Sequence, residues 1–408
     1  MKNTPEVIWN RNFICVFTSY FLLSFAAMCV NPLVSTYARY LNAGPVLIGV
    51  LTGLLYGVAI AVRPITGPMA TKLDNRKLMI LVGILGVIAN LGYIFFSSIT
   101  AFAMFRVANG FMQGLIGSVY LTVVSDSLPP SKFGTGIGIY GLAFVAAQAF
   151  GPAAGTSLRN YGISLGNEAL GFRFAFIAAA VCATLSLIPC FAIRLGKKTK
   201  EDMEAAGAWY KNIFSTRALP AAIMLTFAAI SNNLFTAYIV PFSETLGIKN
   251  IGVFFTAAAI TGLCTRPIYG RLGDRYGLKK TLLPGFLFQA ISLLIVSRAG
   301  ILPVLLIGAV AGALGFAAAL PGLQAMGIQS IRRQKRSAAS NTVSCGQDLG
   351  FFLSPFLGGI VYSVSDYRVM YLSGIIPCTI AAIVLVVFWP TFKRWKTDAR
   401  VAGETNEA

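Results

Sequence analysis

Arg63-Pro64-Ile65-Thr66-Gly67 and Arg266-Pro267-Ile268-Tyr269-Gly270 stand 203 residues apart, almost half of a 408-residue chain. The same interval separates Ile48-Gly49 from Ile251-Gly252, Pro152 from Pro355 and Gly155 from Gly358. Around the last two pairs it carries a whole stripe. Ala143, Ala147, Gly151 and Gly155 match Gly346, Gly350, Ser354 and Gly358, at four-residue spacing in both halves. Small residues at that spacing let two helix backbones approach closely. The chain is therefore read as an internal duplication, and repeats of this length are repeated structural units.

What each half contains follows from composition. The chain is 56% hydrophobic and only 12% charged. An apolar run of about 20 residues crosses a bilayer core. Twelve such runs are predicted, at about 13–36, 46–70, 77–97, 99–124, 133–158, 170–194, 218–243, 249–270, 279–297, 301–328, 337–364 and 368–392. They must be helices, because lipid offers open backbone groups no partner. A β-barrel would show short alternating segments instead. Six spans per half is an even number, so the halves keep one orientation and form parallel repeats, an arrangement known in transporters. The fold class is all-α and integral to the membrane. Residues 1–194 are expected to form one six-helix bundle and 218–392 the other, with a linker at 195–217 and a tail at 393–408.

The net charge of +19 is distributed between the apolar runs rather than gathered on one face, which argues against nucleic acid as a partner and for membrane topology. Lys72, Arg76, Lys77 and Lys132 follow spans two and four; Arg271, Arg275, Lys279, Lys280, Arg332, Arg333, Lys335 and Arg336 follow spans eight and ten. Arg194, Lys197, Lys198, Lys200, Lys211 and Arg217 fill the central linker, and Lys393, Arg394, Lys396 and Arg400 the tail. The alternate loops hold single charges such as Arg39, Arg159, Lys249 and Arg368. Under the positive-inside rule both termini lie in the cytoplasm of a bacterial inner membrane. The first run, from Phe13, is too long for a cleaved leader. Seven cysteines lie inside apolar runs, none in a CxxC pair, and there is no histidine, so no metal or other cofactor is expected.

Two charged residues fall deep inside spans, whereas Arg63 and Arg266 sit near the cytoplasmic ends of theirs and are read as structural. Asp348 lies 11 residues beyond Ser337, roughly 16 Å along a helix and close to the midplane. An acid there costs about 2.5–3.5 kcal/mol to insert, so it is presumed functional: a proton carrier or the partner of a cationic substrate. The bland alternative pairs it structurally with a neighbour such as Gln347. Arg106 lies about six residues inside span four, where it either binds an anionic group or reaches back to the headgroups.

At this point further residues carry a family likeness. Gly270-Arg271-Leu272-Gly273-Asp274-Arg275-Tyr276-Gly277-Leu278-Lys279-Lys280 resembles the major facilitator loop motif, Gly-x-Leu-x-Asp-Arg-x-Gly-Arg/Lys-Lys. Arg106-x-x-Asn109-Gly110 resembles the Arg-x-x-Gln-Gly motif of span four, with Asn in place of Gln. Gly151-Pro152-Ala153-Ala154-Gly155 resembles the Gly-Pro-x-x-Gly element of proton-driven exporters, and its partner in the second half is Ser354-Pro355 with Gly358. Asp126 with Pro129, Pro130, Lys132 and Gly134 fits the family's Asp-x-x-Pro stretch. The likeness covers essentially the whole chain and is nearest to twelve-span drug and metabolite proton antiporters. One departure stands out: after span two, Thr71 replaces the motif's Asp and Asp74 its Gly.

The resemblance implies the major facilitator fold, with two bundles that alternately open a central cavity, and no enzymatic activity. It implies that Gly270, Asp274, Arg275, Gly277, Lys279 and Lys280 form a cytoplasmic gate with Asp126 as first-half counterpart. It also gives Arg106 a site role beside Asp348. The function expected is proton-coupled efflux of a small organic molecule by a monomer. The alternatives are proton-coupled uptake of an organic acid or sugar, and a membrane receptor or assembly partner without flux.

Overall fold

The computed structural model describes residues 7–129, 132–194, 215–248, 250–329 and 336–404. Among these there is no strand, and helices follow one another through short turns. In chain order they are α1 (Arg11–Val30), α2 (Val34–Tyr40), α3 (Pro45–Lys72), α4 (Asn75–Phe95), α5 (Ile99–Ser127), α6 (Phe133–Leu165) and α7 (Glu168–Ala192). After the linker come α8 (Leu219–Thr245), α9 (Gly252–Tyr276), α10 (Leu278–Arg298), α11 (Leu302–Gln329), α12 (Arg336–Val364), α13 (Tyr367–Ser373) and α14 (Ile375–Glu404). Short α2 continues α1 across a 3-10 turn at Asn31–Leu33, and short α13 leads into α14, so the expected twelve spans are all present as helix. Ten of them, among the described residues, are long and apolar enough to cross a membrane on composition alone. The remaining two long helices, α9 and α12, are more polar, as Arg266 and Asp348 already indicate.

The ends of the helices are chosen by their caps. Asn10, Ser98, Asn167 and Asp366 each accept a hydrogen bond from a backbone N–H in the first turn that follows, at 2.8–3.2 Å. Such a cap satisfies one of the donors that a helix start leaves open. Outward-facing side chains are large and apolar along the spans: Ile376, Ile383, Val386 and Val387 of α14 are all exposed. Exposed apolar surface on this scale belongs against lipid.

The chain divides into two compact units, Met1–Ala43 with Leu54–Gly207 and Lys249–Thr256, and Gly44–Gly53 with Ala208–Ile248 and Ala257–Ala408. The linker residues 195–214 lie outside the described residues. Inside the first unit α1 packs on α5, α6 and α7, and α4 on α5 and α7. Inside the second, α8 packs on α11, α12 and α14, and α10 on α11 and α14. The two sets of neighbours correspond one for one, so the duplication in sequence is a duplication of packing.

The small-residue stripe makes the closest of these contacts. In the second unit a side chain at Gly346 would strike the Ala222 carbonyl, one at Gly350 the Thr226 carbonyl, and one at Gly358 the Leu234 and Tyr238 side chains. Four side-chain hydrogen bonds cross the same seam. Thr226 Oγ1 donates to the Gly346 carbonyl at 2.9 Å and Ser354 Oγ to the Ile230 carbonyl at 2.7 Å. Tyr238 OH donates to the Pro355 carbonyl at 2.6 Å. Asn233 Nδ2 donates to the Phe351 carbonyl at 2.9 Å. That last bond has a clear cause. Pro355 has no N–H, so the carbonyl four residues earlier, Phe351, loses its helical partner, and in hydrocarbon a replacement must come from protein.

In the first unit Gly151 meets the Phe25 carbonyl and Gly155 the Cys29 carbonyl. Ser354 and Ile230 are 124 residues apart, whereas Gly155 and Cys29 are two further, so α1 is offset by two residues from a strict repeat. Pro152, Pro241 and Pro355 sit inside continuous α6, α8 and α12. Pro32 coincides with a break, the 3-10 turn between α1 and α2.

The α8–α12 seam predicts two separable effects. Gly350→Leu forces backbone apart and prevents accumulation of folded protein in membranes. Asn233→Ala leaves the backbones in place but orphans the Phe351 carbonyl and removes an acceptor of Thr236 Oγ1, and lowers stability by about 0.6 to 1.7 kcal/mol. Thermal unfolding of the detergent-solubilised protein, with membrane content by immunoblot, checks both.

Candidate functional site

The first unit holds a buried cation. Arg106 lies about two turns into α5, and it is 1% exposed. The guanidinium Nη1 donates to Asn31 Oδ1 at 3.4 Å. Asn31 opens the 3-10 break between α1 and α2, so the side chain is aimed at that interruption. The guanidinium also lies within hydrogen-bonding reach of the Tyr93 hydroxyl. That hydroxyl accepts from Asn109 Nδ2 at 2.9 Å, and Tyr93 and Asn109 are 2% and 5% exposed. Arg106 does not reach back to the headgroups. Its burial and its bond to Asn31 rule that alternative out.

Beside this cluster the rings of Tyr37, Phe102, Phe172 and Phe176 pack edge to face, with centroids 4.9–5.0 Å apart around Tyr37. Rings in that arrangement exclude water and favour each other beyond their area alone. A buried guanidinium in such surroundings interacts with any opposite or acceptor group far more strongly than in water.

The second unit holds the buried acid. Asp348 stands near the middle of α12 and is 4% exposed. Gly346 and Gly350, two residues to either side, both face α8. At 100° per residue the carboxylate therefore leaves α12 on the side away from that seam. Two intramembrane amides of this unit have partners of their own. Asn233 serves the seam, and Gln289 Nε2 reaches the Ala228 carbonyl at 3.5 Å inside the bundle.

The loop motif is more helical than its name. α9 continues to Tyr276, so Gly270 and Gly273 are inside the helix, and the turn falls on Gly277 at φ 86°. Only glycine adopts that conformation without strain. Its N–H closes on the Gly273 carbonyl at 3.0 Å, and α10 begins at the next residue. Arg275 is exposed with its guanidinium 5.3 Å from the Tyr276 ring centre, and Lys280 is exposed beside half-buried Lys279. The side chains of Asp274 and Thr71 lie outside the described residues. Asp126 is exposed one residue before the end of α5.

The departure at Asp74 now has a physical reason. By the 203-residue interval Asp74 is the counterpart of Gly277. It solves the same turn differently: backbone φ stays at −67° and the carboxylate caps α4, accepting from Arg76 N at 2.9 Å. Arg76 itself donates from Nη2 to the Phe191 carbonyl at 2.8 Å, which ties the start of α4 to the end of α7.

Two features escaped sequence reasoning. Tyr93 gave no signal, since a tyrosine in an apolar run reads as packing. Arg159, taken for a scattered loop charge, is 5% exposed and bonds Glu168 Oε1 through Nη2 at 2.8 Å, with its guanidinium 4.8 Å over the Phe172 ring. The pair staples α6 to α7. A basic residue and the acid that opens the next helix, nine residues apart across a tight turn, were the available clue.

Comparison with known proteins follows the same lines. The model of the Major Facilitator Superfamily matches residues 16–254 and again 221–405. The multidrug resistance protein MdtG of Escherichia coli O81 (strain ED1a) is 25% identical over 400 residues, covering 91% of this chain and 92% of that protein. MdtG of the K12 strain is 24% identical over the same extent. Among solved structures, a bacterial homologue of the human lysosomal transporter Spinster, inward-facing and unoccupied, superposes with a TM-score of 0.74 at 15% identity, covering 95% of this chain and 96% of that one. The peptide transporter POT in complex with sulfate gives a TM-score of 0.74 at 13% identity, covering 94% and 95%.

The caps give a prediction. Asp74→Ala removes a charged helix cap and costs about 1 kcal/mol. Gly277→Ala forces a Cβ into the left-handed region and costs a similar amount, about 1 kcal/mol. Chemical denaturation of the solubilised variants against the parent measures each.

Proposed function

The chain belongs to the Major Facilitator Superfamily and is a multi-pass secondary transporter rather than an enzyme, and from that premise we propose that it exports small organic molecules of drug or metabolite type in exchange for protons. The observation that carries export is the likeness to multidrug resistance proteins along 91% of the chain. Proton exchange is supported by Asp348, an acid 4% exposed in the middle of a span. An ionisable group at such a depth persists for a purpose.

The mechanism is alternating access between the two repeats. Asp348 takes a proton on one side and yields it on the other, and substrate occupies the cavity in the interval. Arg106 binds the electron-rich part of the substrate. The Gly270–Lys280 segment, with Asp126, closes the cytoplasmic side, and the stripes through Gly151, Pro152 and Gly155 and through Ser354, Pro355 and Gly358 keep each bundle rigid as it rocks. Both termini lie in the cytoplasm, since the basic loops cluster on one side of a bacterial inner membrane. The membrane potential supplies about 2.3 kcal/mol per charge per 100 mV, sufficient for more than tenfold accumulation.

The test uses inverted membrane vesicles with an acidified lumen and a pH-sensitive dye. Addition of a lipophilic drug cation or a neutral drug releases luminal protons through the parent protein, and Asp348→Asn abolishes the release at equal membrane content. Release that survives the substitution places the proton elsewhere. Proton entry on addition of an organic acid or sugar instead overturns export in favour of uptake.

A further inference from the structure

Arg106 is held by two groups that no motif names. The Tyr93 hydroxyl lies within its reach on one side and is itself fixed by Asn109 Nδ2 at 2.9 Å. On the other, Asn31 Oδ1 accepts from Nη1 at 3.4 Å. All four side chains belong to the first unit, and Arg106, Tyr93 and Asn109 are each at least nine-tenths buried. Tyr93 and Asn109 lie on successive helices, α4 and α5, with Asn109 one turn along α5 from Arg106. The phenol is packed between the Phe102 and Phe176 rings, at 5.0 and 5.4 Å between centres, so its hydroxyl has little freedom to leave.

From this geometry we infer that Tyr93 and Asn109 are positioning residues: the Asn109 amide orients the Tyr93 hydroxyl, and that hydroxyl orients the Arg106 guanidinium toward the α1–α2 break. The role deepens the reading of Arg106 as a substrate contact and rests on it for its effect on transport. The chemistry is ordered. A tyrosine hydroxyl both donates and accepts. With its lone pairs turned to the Asn109 N–H and an Arg106 N–H, it fixes the plane of the guanidinium, which a long flexible side chain does not fix by itself.

Two readouts separate this inference from the transport reading. The first needs no substrate. In 15N-arginine-labelled protein the Arg106 Nε–H resonance, identified by its loss in Arg106→Lys, moves in Tyr93→Phe and in Asn109→Ala. It stays in place in Tyr120→Phe, a control in which an equally buried tyrosine of the same helix bundle loses its bond to Ser19. A resonance unmoved in Tyr93→Phe, or moved equally in Tyr120→Phe, overturns the positioning role whatever the protein transports. The second is drug efflux. Tyr93→Phe raises KM about tenfold, and the effect vanishes when Arg106 is already replaced, as expected for coupled residues. An additive double mutant overturns positioning alone. An unaltered efflux in Arg106→Lys and Arg106→Gln overturns the role of Arg106 as well.

Discussion

A backbone carbonyl in hydrocarbon has no water to turn to, and the organisation of both units follows from that constraint. Each unit is built by bringing two helix backbones so near that Cβ atoms are excluded, with Gly155 on the Cys29 carbonyl in one and Gly350 on the Thr226 carbonyl in the other. Close approach is useful only if polar groups at the seam are satisfied. Where Pro355 interrupts the ladder, Asn233 supplies the missing donor. Where Pro32 interrupts it, the chain turns through a short 3-10 segment instead, and Asn31 in that segment accepts from Arg106. One unit thus repairs its interruption with an amide, and the other joins its interruption to a buried charge.

Most of the architecture was legible in the sequence for this reason. Packing that excludes Cβ atoms leaves a visible mark, small residues at four-residue spacing, and duplicated packing repeats that mark at a fixed interval. The ends of spans were less legible. Every residue of the loop motif except Gly277 proved helical, because a charge run at the membrane surface is compatible with helix or turn and only Gly277 requires a turn. The two-residue offset of α1 was likewise hidden: apolar helices tolerate sliding, and no residue name records the register.

The candidate site was legible in its charges and not in their surroundings. Asp348 and Arg106 stand out because an apolar span makes any ionisable residue conspicuous. Tyr93 and Asn31 do not, since each has an ordinary role in a bundle and acquires another only through the fold, and Asn109, although it stands in the span-four motif, finds its partner Tyr93 only there. Arg159 shows the converse: a charge assigned to a loop by its position is buried against Glu168 and Phe172. Position along the chain gives depth in the membrane, whereas partners come from the helix that returns.

Coupled export requires that a proton gradient drive the movement of substrate. In proteoliposomes containing the purified protein, a fluorescent drug is measured while a lumen-acid pH gradient is imposed and then collapsed with an ionophore. Accumulation of the drug above its external concentration while the gradient lasts, and its loss on collapse, is the result predicted. Accumulation indifferent to the gradient, or simple equilibration in its presence, contradicts it.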